Sequence, residues 1–296
     1  MTTERIQIFF AANVDYYQHL CVAIVSLLEN NRGRDFDIYV LTNDADSLES
    51  EKITQLKNQY DNFSITFSEV DASYLKPFHV PNRSHITVQT YYRFLIPVLF
   101  PALAKAIYLD SDLIIEGNLS ELWEMNIDNY YLAGVEDLFI LSIGYKKQLG
   151  ISDNKIYINA GVLLMNLTAW HRDNFLEKII ETSKKLGTNA QYNDQDVINC
   201  ALNGEVKILD SRFNWTSFNS LTTDKNAESH QSAVISHFIG RRKPWNPLRK
   251  CRHKSAAKYF YYLNKTPYRN FIYSYRIMRL FKHFLMLRNW ILGKPN

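Results

Sequence analysis

The chain has 296 residues, with 34 Lys and Arg against 30 Asp and Glu and a formal net charge of +4. This length and a hydrophobic content of 46% are enough for a sizeable core, which excludes disordered and fibrous proteins. The charge is unevenly distributed, because residues 241–296 contain 15 basic and no acidic residues, whereas residues 1–240 contain 19 basic and 30 acidic ones. An acidic body therefore precedes a basic tail.

The N-terminal segment and the cysteines indicate a cytoplasmic protein. The chain enters a β-rich run at Ile6 without the basic and long apolar regions of a signal peptide. No segment approaches the ~20 consecutive apolar residues that a membrane-spanning helix needs. Cys21, Cys200 and Cys251 are far apart in the chain, which fits neither a disulfide framework nor a cysteine metal site.

The order of the predicted elements indicates an α/β fold with a mostly parallel sheet. The first strands are predicted at 6–12, 36–42 and 63–70, and helices at 17–30 and 46–59 separate them. Further strands are predicted at 106–109, 131–135, 161–165 and 206–209. Another helix begins near Asp194 and ends at Asn203. The ten glycines form neither a dinucleotide-binding fingerprint nor a Walker loop, which disfavours both of these mechanisms.

An acidic pair follows the predicted strand at 106–109. Two carboxylates at i and i+2, Asp110 and Asp112, can reach one hard cation where the chain turns at a strand end. A solvated strand end is the alternative. The other D-x-D segments, at 35–37, 44–46 and 194–196, are explained by strand starts and helix caps. Context distinguishes Asp110 and Asp112 from these segments and leaves both interpretations of the pair open.

The segment YLDSDL at 108–113 resembles the D-x-D segment of the family 8 glycosyltransferases. Five more segments resemble family motifs and occur in the family order: FAAN at 10–13, TYYR at 90–93, INAGVLLMN at 158–166, YNDQD at 192–196 and SHFIGRRKPW at 236–245. The similarity spans residues 6–246 and is closest to the bacterial lipopolysaccharide and lipooligosaccharide galactosyl- and glucosyltransferases. Several motifs in one order are far rarer by chance than a single D-x-D pair.

This resemblance implies a GT-A fold, with a Rossmann-like nucleotide-sugar-binding catalytic domain over residues 1–246. It also implies a UDP-sugar donor, retention of anomeric configuration, and a bound Mn²⁺ or Mg²⁺. Carried over by motif, the metal ligands are Asp110, Asp112 and His237, whose oxygen and imidazole donors suit Mn²⁺. The metal then acts as a Lewis acid on the departing UDP. For His237, a structural histidine of the core is the alternative.

The resemblance assigns further residues to the donor site. The residues carried over as donor or metal contacts are Ala11, Ala12, Asn13, Tyr16, Arg93, Asp110, Ser111, Asp112, Asn159, Ala160, Asp194, Gln195, His237, Gly240 and Lys243. Lys243 is expected to bind the diphosphate, and a solvated charge run at 241–243 is the alternative. Asn13 stands where close relatives often carry Asp, and its amide oxygen can still accept from uracil. For Arg93, a buried arginine paired with an acidic side chain is the alternative.

The expected catalytic residues are Gln195, Asp194 and Asp137. The resemblance places Asp194 at the sugar hydroxyls and Gln195 beside the anomeric carbon, with Asp137 as a nearby carboxylate. An amide is a poor nucleophile, which favours front-face transfer over double displacement through a protein nucleophile. A carboxylate in a first helical turn is the structural alternative for Asp194. His85 matches a family position near the sugar or acceptor, and a local structural role fits it equally well.

The basic, aromatic-rich tail at 247–296 predicts a membrane-attachment segment. Five basic side chains share one arc of a helix over 269–292, plotted at 100° per residue, and apolar side chains occupy most of the rest. These five are Arg269, Arg276, Arg279, Lys282 and His283. Such a helix suits an anionic membrane surface. A helix docked on the body and a nucleic-acid contact are the alternatives, although no nucleic-acid-binding motif accompanies the tail.

The sequence therefore predicts a cytoplasmic hexosyltransferase attached peripherally to the inner face of the cell membrane. Its expected reaction moves galactose or glucose from UDP to a saccharide carried on a lipid, such as lipopolysaccharide or lipooligosaccharide. Transfer to a protein or polysaccharide is one alternative. The other is a nucleotide-sugar-binding membrane-associated protein without catalysis. The acceptor, the linkage, the oligomeric state and the choice between the two hexoses stay open.

Overall fold

The computed structural model describes residues 4–79, 88–219 and 232–291. Its strands within these ranges are β1 (Ile6–Ala11), β2 (Phe36–Thr42), β3 (Phe63–Glu69), β4 (Lys105–Leu109), β5 (Leu113–Ile115), β6 (Leu132–Glu136), β7 (Ile158–Asn166), β8 (Lys207–Ile208), β9 (Trp215–Thr216) and β10 (Ile235–His237). Its α-helices are α1 (Tyr17–Asn30), α2 (Leu48–Thr54), α3 (Ile96–Leu99), α4 (Ser120–Glu124), α5 (Leu138–Ser142), α6 (Leu167–Arg172), α7 (Phe175–Leu186), α8 (Asp194–Leu202), α9 (Ala256–Leu263) and α10 (Phe271–Ile291).

The central sheet has seven strands in the order β3-β2-β1-β4-β7-β6-β8. Strands β1 to β4 run parallel to one another, as the alternation of strands and helices predicts. Strand β7 is antiparallel to both of its neighbours, β4 and β6. Because Leu109 at the end of β4 pairs with Val162, the first residues of β7 lie at the edge where β1 and β4 end.

A three-stranded sheet, β5-β10-β9, adjoins this edge. Strand β5 begins at Leu113, directly after Asp112, and pairs antiparallel with β10, so His237 lies opposite Leu113. Strand β9 runs parallel to β10, with Thr216 opposite His237. The small sheet therefore holds a histidine from late in the chain beside the acidic pair that follows β4.

Apolar side chains cover both faces of the central sheet. Ile8 belongs to one buried cluster, which contains α1, and its neighbour Phe9 belongs to the other, which contains α7 and α8. Successive side chains of a strand point to opposite faces, so a strand buried on both sides reads as a continuous apolar run. The continuous apolar runs that predict β1 and β4 are explained by burial of both faces of these strands.

Two elements differ from their predicted bounds by three residues or more. The helix predicted at 46–59 ends as an α-helix at Thr54 and continues as a 3-10 helix over Gln55–Asn58. Strand β7 begins at Ile158, three residues before its predicted start. The missed residues, Asn159 and Ala160 among them, lie at the edge of the sheet that carries the candidate site.

The basic tail contains two helices that differ in burial. Helix α9 packs into the apolar cluster around α1 through Tyr259, Tyr262 and Leu263, which are 1%, 6% and 0% exposed. In α10, Tyr273 and Leu280 are 65% and 70% exposed. The membrane-contact prediction and its docked-helix alternative both concern the helix over 269–292, which is α10. Phe271 and Ile272 at its start pack against the same apolar cluster, and membrane contact stays a prediction for the exposed remainder. Every helix within the described ranges is too short or too polar to span a bilayer.

Candidate active site

The acidic pair lies in the turn between β4 and β5. The backbone N–H of Asp110 donates to the carbonyl of Gly161 on β7 at 2.8 Å, which fixes the turn against the central sheet. At the end of β10, His237 Nε2 lies 3.0 Å from Asp112 Oδ1 and 3.7 Å from Asp110 Oδ2. One ligand atom from each of these three side chains lies within 4.8 Å of the other two. The structure thus brings the three predicted metal ligands together.

A chain of side-chain amides determines which nitrogen of His237 carries the proton. The N–H of Gly161 donates to Asn159 Oδ1 at 3.0 Å, so Asn159 Nδ2 is the atom that donates to Asp137 at 3.1 Å. Asn159 Oδ1 also accepts from Asn214 Nδ2 at 2.8 Å, which leaves Asn214 Oδ1 2.9 Å from His237 Nδ1. His237 Nδ1 therefore donates, and the Nε2 lone pair faces the two carboxylates. Metal-binding imidazoles have this orientation.

Gly161 provides the space that the metal-ligand cluster occupies. A Cβ atom at this position would overlap the ring of His237 and lie 2.8 Å from Asp110 Oδ2. The backbone of Gly161 is part of β7, so the requirement is for space rather than for an unusual φ. Any larger residue would displace one of the ligands.

Two cations neutralise the acidic pair. Lys243 Nζ contacts Asp112 Oδ2, and Arg93 Nη2 donates to Asp110 Oδ1 at 2.9 Å. Burial disfavours ionisation of Asp112, but the charge of Lys243 outweighs it and holds the pKa of this carboxyl below its usual range. Asp112 is therefore ionised at neutral pH, which is the state that a metal ligand requires.

Arg93 is 2% exposed and connects two acidic residues. Its Nε lies 3.2 Å from Asp194 Oδ2, and its Nη1 donates to the carbonyl of Ala160. Burial raises the pKa of Asp194 to about 6, although the charge of Arg93 opposes the shift. Arg93 is thus a buried arginine with two acidic partners, and it orders the backbone of β7 next to the metal-ligand cluster.

The amide of Gln195, on the first turn of α8, is fixed in orientation. Its Oε1 accepts from the N–H of Ala160 at 3.1 Å, and its Nε2 donates to Asp137 Oδ2 at 3.1 Å. The other oxygen, Asp137 Oδ1, accepts from the N–H groups of Phe139 and Ile140 and so caps α5. Both carboxylate oxygens of Asp137 are therefore engaged, which suits a residue that orients Gln195 better than it suits a nucleophile.

The end of β1 carries the residues predicted to contact the base. The hydroxyl of Ser111 donates to the carbonyl of Ala11 at 3.1 Å, which ties the β4–β5 turn to β1. Asn13 Oδ1 is buried without a hydrogen-bond partner among the described residues. A buried unpaired acceptor costs about 1–3 kcal/mol, so a ligand N–H gains stability by pairing with it. Burial raises the pKa of Tyr16, which lies within electrostatic range of Lys243 and Asp112.

Gly240 and His85 are the remaining residues predicted from the sequence to lie near the site. Gly240 has a φ of +70°, and a Cβ there would meet no atom within 4 Å, so this glycine serves a left-handed turn rather than close packing against the protein. His85 lies outside the described residues. No role is predicted from the sequence for Gly161 or Asn214. A lone glycine in an apolar strand is a signal for close approach, whereas Asn214 gives no signal because only the pairing of β9 with β10 brings it to His237.

Comparison with known proteins identifies the family. A family model described as glycosyl transferase family 8 matches residues 7–248. The chain is 28% identical to general stress protein A of Bacillus subtilis, with 89% of this chain and 94% of that protein covered. It is 27% identical to the lipopolysaccharide 1,2-glucosyltransferase of Escherichia coli, with 98% and 88% covered. The crystal structure of the galactosyltransferase LgtC in complex with donor and acceptor sugar analogues gives a TM-score of 0.78 at 27% identity, with 88% and 96% covered.

The matched range contains the whole candidate site, from the end of β1 to Lys243. The similarity to LgtC confirms the expected GT-A fold and its mostly parallel central sheet. The chain is therefore a glycosyltransferase, and it belongs to glycosyl transferase family 8.

Proposed function

We propose that this chain transfers galactose or glucose from a UDP-sugar to a saccharide, with the help of one divalent metal ion. The observation that carries the proposal is the convergence of Asp110, Asp112 and His237 beside Lys243. The relatives support the same class of reaction, since one is a glucosyltransferase and LgtC is a galactosyltransferase solved with donor and acceptor sugar analogues.

The three ligands fit a divalent metal ion. Two carboxylates and an imidazole whose Nε2 lone pair faces them form a mixed oxygen and nitrogen donor set, which favours Mn²⁺ over Mg²⁺. The space that Gly161 keeps open beside His237 supports this assignment. When bound, the ion supplies Lewis-acid stabilisation of the charge on the departing diphosphate.

Lys243 is the proposed ligand of the donor diphosphate. Its Nζ contacts Asp112, so its charge lies at the metal-ligand cluster. Negative charge develops on the UDP leaving group as the transition state forms, and an adjacent cation stabilises it there more than in the bound donor. Arg93 has a different role in this proposal, because its contacts with Asp110 and Asp194 hold those two carboxylates in place.

The uracil base is proposed to lie at the end of β1, against Ala11, Ala12, Asn13 and Tyr16. Asn13 Oδ1 has no hydrogen-bond partner in the described part of the chain and can accept from the ring N–H of uracil, which supports this position. Since Asn lacks the charge of Asp, the hydrogen bond is a neutral one and weaker than its charged counterpart.

Transfer is proposed to occur on one face of the donor sugar. The bond from the anomeric carbon to the UDP oxygen breaks, the acceptor oxygen bonds to the same face of that carbon, and the acceptor proton passes to the departing phosphate oxygen. Asp194 and Asn159 hold the sugar, and Gln195 stabilises the charge that develops at the anomeric carbon. The fixed amide of Gln195 and the engaged oxygens of Asp137 support front-face transfer over a covalent intermediate.

The acceptor is proposed to be a saccharide carried on a lipid, reached from an anionic membrane surface at which α10 lies. Exposed apolar side chains support this contact, with Ile277 at 66% and Phe281 at 61% exposure, together with basic residues such as Arg276 and an absence of acidic residues after 240. The name of the Escherichia coli relative points to lipopolysaccharide. A protein or polysaccharide acceptor is the alternative outcome of an acceptor screen.

The decisive experiment is a donor-by-acceptor screen with and without Mn²⁺, read by UDP release and by NMR of the product. We expect turnover of UDP-galactose or UDP-glucose, an α-linked product, and a loss of at least about 100-fold in Asp112→Asn. Asp46→Asn is the matched control, because it changes an exposed aspartate of another D-x-D segment in the same way. Full turnover in Asp112→Asn, or metal-independent turnover, would contradict the proposed metal site.

A further inference from the structure

The loop that carries Lys243 is held at its far end by an aromatic residue. The loop begins after β10 with Phe238, which is 2% exposed, and reaches Trp245 two residues beyond the lysine. Lys243 Nζ donates to the carbonyl of Phe238 and lies 5.8 Å from the centre of the Trp245 ring. The position of the ammonium group therefore depends on where Trp245 is anchored.

Trp245 is anchored by residues of two distant helices. Its ring stacks on His19 of α1 with the centroids 3.8 Å apart and the planes at 20°. It also contacts the ring of Tyr259 of α9 at 4.9 Å, and Phe238 packs edge-on against Tyr259 at 6.2 Å. Tyr259 therefore touches aromatic residues at both ends of the lysine loop.

Hydrogen bonds fix Tyr259 against α1. Its hydroxyl accepts from Gln18 Nε2 at 3.2 Å, so the hydroxyl proton is free to go to His19 Nδ1 at 2.7 Å. His19 then carries its own proton on Nε2 and is neutral. Since Tyr259 is 1% exposed, this arrangement is buried and rigid.

We propose that Tyr259, His19 and Trp245 are positioning residues that hold Lys243 at the donor diphosphate, so that α9 is a working part of the active site. The basic tail then contains two parts with different roles, because α9 serves donor binding whereas most side chains of α10 are exposed. This inference rests on the proposed role of Lys243 in binding the diphosphate, and it names the three residues that position its ammonium group.

The test compares two conservative variants of α9 in the full chain. Tyr259→Phe keeps the ring and removes the hydrogen bonds to α1. Tyr262→Phe is the control, because it removes a hydroxyl that accepts from Asn30 of α1 at 2.8 Å. This hydrogen bond joins the same pair of helices but lies away from the lysine loop. The measurement is the dissociation constant of UDP in the presence of Mn²⁺, by calorimetry, with thermal unfolding in parallel. We expect about fivefold weaker UDP binding in Tyr259→Phe and a change below about twofold in Tyr262→Phe, with similar losses of Tm.

Trp245→Leu provides a stronger perturbation of the same anchor. We expect about tenfold weaker UDP binding, because the stacking on His19 is lost. In a Lys243→Met background, Tyr259→Phe should have no further effect on UDP affinity, since a positioning residue acts only through the group that it positions. A purely structural role would instead lower affinity equally in both backgrounds, and this result would overturn the inference.

The Lys243→Met variant separates the role of the lysine from the role of its anchor. If Lys243→Met binds UDP with Mn²⁺ as tightly as the wild type, the proposed role of the lysine is wrong and the inference falls with it. If Lys243→Met weakens binding while Tyr259→Phe and Trp245→Leu do not, the role of the lysine stands and only the positioning by α9 is overturned.

Discussion

Gly161 controls the geometry of the metal-ligand cluster at the scale of a single atom. A methyl group at this position would overlap the ring of His237 and approach Asp110 Oδ2. Both neighbours are held by hydrogen bonds, so neither moves aside without losing a partner. We expect Gly161→Ala to weaken Mn²⁺-supported UDP binding at least about tenfold, because it displaces a metal ligand.

Gly33→Ala is the matched control for this variant. A Cβ at Gly33 meets no atom within 4 Å, and its φ is not left-handed, so the same methyl group is harmless there. Calorimetry of UDP binding with Mn²⁺ and circular dichroism of both variants separate a local effect from unfolding. Unaltered UDP affinity in folded Gly161→Ala would remove the steric argument for the cluster.

The residues identified from the sequence share a place in a family motif, and the metal-binding pair lies at the end of a predicted strand. Asp110 and Asp112 follow an apolar run, and parallel strands bring such ends to one edge of a sheet. Asn214 has no comparable signal, because it reaches His237 only through the pairing of two short strands far apart in the chain. Long-range pairing of this kind leaves no periodic trace in the sequence.

At the scale of elements, the contact between α1 and α9 makes stability depend on pH. Burial lowers the pKa of His19 to about 3, whereas an exposed histidine in the unfolded chain titrates near ~6.5. Below pH ~6.5 the unfolded chain binds a proton that the folded chain does not, so stability falls as the pH decreases from there toward 3. His19→Phe removes this titration and keeps an aromatic ring beside Trp245.

We therefore expect the wild type to lose about 2 kcal/mol more of its free energy of unfolding than His19→Phe between pH 7 and pH 5. Urea unfolding of both proteins at the two pH values measures the difference, and all other titrating groups are common to both. An equal pH dependence would mean that His19 is protonated in the folded chain, in conflict with its stacking and its hydrogen bond to Tyr259.

The direction of β7 shows what element-scale patterns leave undetermined. Its apolar run predicts a buried strand, but a strand buried on both faces reads the same in either direction. The structure places it antiparallel between β4 and β6, and this reversal is what delivers Asn159, Ala160 and Gly161 to the site. The sequence therefore predicts the sheet and its parallel half. Only the structure shows that the start of β7, with Asn159, Ala160 and Gly161, forms one side of the site.

At the scale of the whole molecule, the asymmetric charge predicts where the protein meets a membrane. The double variant Arg276→Gln with Arg279→Gln removes two positive charges from α10. It should bind vesicles that contain phosphatidylglycerol about thirtyfold more weakly, because each basic residue near such a surface contributes about 1 kcal/mol. Lys184→Gln with Lys185→Gln on α7 removes the same charge from another exposed face and should have little effect.

Co-sedimentation with vesicles of phosphatidylcholine alone and mixed with phosphatidylglycerol measures this difference. UDP affinity should be the same in both double variants, because α10 lies outside the lysine anchor. Equal loss of vesicle binding in the two variants would mean that net charge, rather than α10, determines the contact. The basic segment is predicted from the sequence, but as a single unit over 247–296, because basic and aromatic residues continue across both α9 and α10.

The small sheet has a consequence for how the protein is made. Strands β5 and β10 begin at residues 113 and 235. His237 and Asp112, which are 125 positions apart in the chain, therefore meet only when these two strands pair. No N-terminal fragment that ends before Lys243 contains all residues of the proposed metal and diphosphate sites, so a nascent chain gains both only after residue 243 has been synthesised. Ligands that bind only the completed chain stabilise it by mass action. On the proposed function, metal and UDP-sugar therefore favour the finished fold over incomplete chains, so that the substrate acts as a folding ligand before it acts as a donor.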